Sequence, residues 1–143
     1  MSRVEPLLIR SARSPQRQAI IEDALRLQNT IPDADPLMTA RLHLTLSESR
    51  EMTGNIDEAV AELGKTFAVL DSTELDAGPL AVRARLHESA LSLSTGDYAL
   101  TERAAKQAIE EATAVLGPGT DEEAMALMFM SKAYIFTERM PQS

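Results

Sequence analysis

GDYALTERAAKQAI at residues 96 to 109 repeats the pattern of GNIDEAVAELGKTF, which begins at residue 54, at an offset of 42 positions. Each reads as a tight glycine turn followed by an amphipathic helix, the second half of a helical hairpin. The same offset aligns residues elsewhere. Ser47, Ser89 and Ser131 fall in step, as do Ala24, Thr66 and Ala108, and beside them the larger Leu25, Phe67 and Ile109. Side-chain volume recurs more faithfully than identity. Small residues at fixed places let helix backbones approach, and a bulky neighbour fills the space between hairpins.

Six apolar-periodic segments follow one another, and none shows the alternation of a strand. The first is expected to open at Ser14-Pro15, a capping residue followed by proline at the first helical position, and to run to about Asn29. The others span roughly Pro36 to Thr53, Ile56 to Ser72, Gly78 to Thr95 and Asp97 to Leu116, with a sixth capped by Thr120 and opened by Asp121, Glu122 and Glu123. Tight glycine turns alternate with longer polar loops, as a stack of hairpins requires.

A small residue in the first helix, Gly-x-aromatic at the turn and Ala in the second helix resemble the tetratricopeptide repeat. The residues are Ser89, Gly96-Asp97-Tyr98 and Ala108, and more loosely Ser47, Gly54-Asn55-Ile56 and Ala59. The usual repeat has about 34 residues. The longer period, and AVLGPGTDEEAMAL at 114 to 127, are similar to the kinesin light chain type. Departures are Thr66 and Thr101 where alanine is usual, Glu88 in place of an apolar residue, and Glu138 and Met140 at the last turn positions. The resemblance implies an all-α fold: a short right-handed superhelical solenoid of hairpins over residues 14–143, preceded by a locally basic arm at 1–13.

It also implies a non-enzymatic adaptor whose first helices line a protein-binding groove, formed by Arg41, Leu44, Glu48 and Glu51, then Arg83, Leu86, Ala90 and Leu93, then Met125, Met128, Lys132 and Ile135. The chaperone-tail clamp of the family is excluded, since Leu44, Glu48, Leu86 and Ala90 stand where it needs Lys and Asn. The sharpest version is a bacterial kinesin-light-chain-like protein on bacterial tubulin filaments. The alternative is a peptide-sensing domain of a bacterial signalling system. Arg41 and Arg83 either present paired guanidinium forks to an acidic segment or are solvated surface charge.

AMALMFMSKAYIF in the last helix is apolar on more than one face. Met128, Met130, Ile135 and Phe136 are expected to form an exposed patch, with Tyr134 turned inward. Three readings stay open for it: a homodimer or other interface, a missing cap, or burial onto the fifth helix.

Charge narrows the partners. A net charge of −8 excludes a nucleic-acid binder. The exception is the N-terminal end, where Arg3, Arg10, Arg13 and Arg17 accompany one acid, Glu5; they offer weak contact with an anionic membrane or belong to a solvated terminus. No cysteine is present, so disulfides, thiolate metal sites and cysteine nucleophiles are excluded. His43 and His87 lack metal-ligand spacing and are expected on the surface or in the groove. Gly117-Pro118-Gly119 lacks the Lys-Ser/Thr of a phosphate loop, and DADP at 33 to 36 is too short for a calcium loop. No cofactor, metal or catalytic set is expected, and the absence of a signal core or spanning segment points to the cytoplasm.

Overall fold

The computed structural model describes residues 5–73 and 78–139, with side chains at 15–73 and 78–137. Arg3 and Met140 lie outside the described residues, as do the side chains of Arg10, Arg13 and Glu138. The described residues form six helices and no strand: α1 (Glu5–Thr30), α2 (Pro36–Met52), α3 (Ile56–Ser72), α4 (Pro79–Thr95), α5 (Tyr98–Leu116) and α6 (Asp121–Arg139). The fold is therefore all-α. None of these helices is long and apolar enough to cross a membrane.

One boundary departs from expectation. α1 does not begin at Ser14 but runs from Glu5 with Pro15 inside it, so residues 5–13 are helical. Proline removes one N–H and crowds the preceding turn. The segment before it is rich in Leu, Arg, Ile and Ala, lacks glycine, and keeps its other proline, Pro6, in the first turn.

The chain divides into two compact units, Met1–Thr73 and Glu74–Ser143. In the first, α2 packs on α1 and α3; in the second, α4, α5 and α6 pack pairwise. The two units use the same turn. Gly54 and Gly96 both take φ +85°, a left-handed conformation that only glycine enters without strain. One residue later, Asn55 N–H donates to the Arg50 carbonyl at 2.8 Å and Asp97 N–H to the Ser92 carbonyl at 2.9 Å. These bonds satisfy carbonyls that a helix end leaves open.

The seam between the paired helices also recurs. Ser47 Oγ donates to the Ala59 carbonyl at 2.6 Å, and Ser89 Oγ to the Thr101 carbonyl at 2.9 Å. Both serines are 0 % exposed. A buried hydroxyl needs such an acceptor, and a larger side chain would push the helices apart. Ser131, the third in step, is exposed on α6.

The core of the second unit is Val82 and Leu86 of α4, Ala105, Ala108 and Ala112 of α5 and Ala126 of α6, with Ile109, Phe129 and Met130 against it. Four alanines in that set bring the three backbones close. In the first unit Leu63 and Thr66 on α3 are buried at the positions that Ala105 and Ala108 hold on α5, and Ile21 is the matching buried residue of α1.

Candidate interaction surface

α6 is anchored at its start by Thr120, whose Oγ1 accepts from the Glu123 N–H at 3.3 Å, with Asp121, Glu122 and Glu123 favouring the positive end of the helix. Ala126 and Ala133, two turns apart, are 0 % and 2 % exposed and mark the inward face. Met130 belongs with that face, packed against the core, and not with the patch expected for it. The outward face carries Met125, Met128 and Ile135 in one stripe, each more than two-fifths exposed, with Lys132 between them. Phe136 borders the stripe, its ring stacked on Tyr98 at 5.2 Å and 11°.

Leu93 and Ser94 of α4 meet Lys132, Ile135 and Phe136 around an open concavity of about 390 Å³. Three of the expected groove residues, Leu93, Lys132 and Ile135, are thus brought together. Arg41 is exposed, whereas Glu48, Glu51, Arg83 and Ala90 are half-buried. Burial, and secondarily the charge of Glu48, raises the carboxyl of Glu51 above its ordinary range. Leu44 at 0 % and Leu86 at 8 % exposure are core residues. At those two positions of the expected groove a neighbouring helix already covers the side chain, so neither is open to a ligand.

Tyr134 turns outward, against expectation, and its hydroxyl donates to Glu102 Oε1 at 2.7 Å. Lys106 Nζ lies 3.0 Å from the same oxygen. The Tyr134 hydrogen bond, followed by that of Lys106, lowers the Glu102 carboxyl, and bonding to Glu102 raises both Tyr134 and Lys106. All three are surface groups. Leu127, 51 % exposed, was missed as a surface residue. The pair of alanines at 126 and 133 carried the signal: they define the packed face, and the residues just after them, Leu127 and Tyr134, must then turn away from it.

His43 Nδ1 faces Glu62 Oε2 at 2.8 Å across the α2–α3 seam, and His87 is buried at 7 % exposure instead of lying on the surface. No group of three or more metal-ligating side chains occurs among the described residues. Across the α4–α5 seam Glu111 Oε1 lies 3.9 Å from Arg85 Nε, while Glu111 Oε2 is buried without a hydrogen-bond partner. Burial raises the Glu111 carboxyl, opposed by the Arg85 charge.

With the folded pKa above the unfolded one, ionised Glu111 opposes folding at neutral pH, and that opposition disappears once the pH falls below the unfolded value. Glu111→Gln therefore has a higher melting temperature than the parent at about pH 7, and the gap closes towards about pH 3, where the carboxyl is protonated in both states. Thermal unfolding at the two pH values checks this; a gap that does not change with pH contradicts it.

No protein-family model, curated protein or solved structure matches the chain.

Proposed function

We propose that the chain is a non-enzymatic protein-interaction scaffold built of tetratricopeptide-like hairpins, and that α6 with the end of α4 receives an amphipathic helix of a protein partner. The observation that carries this reading is the exposed stripe of Met125, Met128 and Ile135 beside the concavity lined by Leu93, Lys132 and Phe136. An apolar stripe rimmed by polar residues suits the hydrophobic face of a helix laid along it. Methionine thioethers adapt to several partner shapes. Lys132 and Ser94 give the rim a polar edge that can fix the partner's register.

The repeated seam, with Ser47 on the Ala59 carbonyl and Ser89 on the Thr101 carbonyl, supports the solenoid reading of the fold. A bacterial tubulin-type filament protein is the partner that the kinesin-light-chain resemblance suggests.

A photo-crosslinking amino acid at Met125 or Met128 tests the site in the cells that make the protein. A discrete adduct is expected at both positions, lost on Ile135→Lys and absent from the same probe at Glu110, an exposed position on α5. Absence of any adduct at Met125 and Met128, or equal labelling from Glu110, overturns the proposal. Mass spectrometry of the adduct tests the filament version directly.

A further inference from the structure

α6 stands in step with α2 and α4, and residues 14–30 of α1 in step with α3 and α5. α1 therefore has the pattern of a second helix, and α6 that of a first. Their exposed side chains match as the two sides of one seam.

Among the charged or polar pairs that bridge the hairpins are His43 to Glu62 between α2 and α3, and Arg85 to Glu111 between α4 and α5. The repeat offset carries His43 and Arg85 onto one residue of α6, Leu127. It carries Glu62 onto Ile20 of α1 and Glu111 onto Leu27. All three are apolar and exposed, at 51 %, 68 % and 63 %. At these positions polar partners in two seams are thus replaced on both sides of the third by apolar ones, while Arg50 and Glu58, also paired, map onto Tyr134 and Gln16. Within a hairpin a short turn holds the helices together. Between separate molecules, apolar contact supplies association without desolvating charges.

Other features agree. Ser131 is exposed where Ser47 and Ser89 are buried, and its acceptor by the same offset is the backbone carbonyl of Arg17. Gln16, Arg17, Ile20 and Ile21 border a concavity of about 320 Å³ on α1, at the place that Leu127 and Tyr134 would reach.

We infer that α6 of one molecule pairs with α1 of a second copy as an antiparallel hairpin, joining copies head to tail. The inference rests on the hairpin-repeat reading and uses the Leu127, Ser131 and Tyr134 face of α6, next to the stripe assigned above to a partner helix. Such a contact is heterologous, with different surfaces on the two copies.

Sedimentation equilibrium of the whole chain from micromolar to millimolar concentration tests it. The mass should rise above that of one copy. Ile20→Glu with Leu27→Glu, and separately Leu127→Glu, should each weaken self-association by roughly 30-fold or more, with helical circular dichroism unchanged because the replaced side chains are exposed.

An equal mixture of the α1 variant and the α6 variant should form a two-copy complex, since each retains one competent end. Should the Leu127 variant fold poorly, a chain carrying Ile20→Arg and Leu127→Asp should associate again through the new ion pair. A parent chain that stays monomeric, an α1 variant that associates like the parent, or a mixture that stays monomeric overturns the inference. Failure of the hairpin reading itself is seen separately, in an Ala108→Phe chain as stable as the parent.

Discussion

Leu44→Ala lowers the unfolding free energy by about 2–5 kcal/mol, read from urea unfolding followed by helical circular dichroism. Leu44 is 0 % exposed and among the largest fully buried side chains. Truncation removes three buried carbon atoms and leaves a cavity that rigid helices fill only in part, so transfer and cavity terms add. The resemblance places the same residue on a ligand-facing surface, where truncation changes stability by no more than about 0.5 kcal/mol. The two expectations are far enough apart for one titration to decide. Met128→Ala, at the matching position of α6 but 46 % exposed, is the internal comparison and should fall near the smaller value.

Ala108→Phe is expected to cost about 1–3 kcal/mol through overpacking. Ala108 is 1 % exposed and belongs to the cluster in which Ala105, Ala112 and Ala126 hold α5 against α4 and α6. A ring at this place cannot fit without moving a backbone, because the spacing is set by methyl groups on facing helices. Ala24, the residue in step with it on α1, is only half-buried, and Ala24→Phe should cost clearly less. Thermal melts of both variants measure the difference. Equal losses would mean that the shared spacing does not reflect shared packing.

Much of the secondary structure was legible. Glycine at 54 and 96, proline at 36 and 79 and the acidic start of α6 are local chemistry that acts the same way wherever a chain turns or a helix begins. The start of α1 was not legible, because Ser14-Pro15 is a sound opening signal that a run of strong helix formers overrode from both sides. The surface was legible only in part. Met125, Met128 and Ile135 lie outward as their helical spacing suggests, while Met130 turns to the core and Tyr134 away from it. A methionine and a tyrosine on an apolar helix serve equally well on either face, and hydropathy does not separate them.

Leu44, Leu86 and Met128 occupy one repeated position, with exposures of 0 %, 8 % and 46 %. Ser47, Ser89 and Ser131 show the same division. By itself the sequence determined the helices, the 42-residue period and the places where small side chains stand, since these follow from local turn chemistry and from spacing along the chain. Only the tertiary structure decided which copies of a repeated residue are buried and which lie open, because burial is a property of the neighbouring helix and not of the residue.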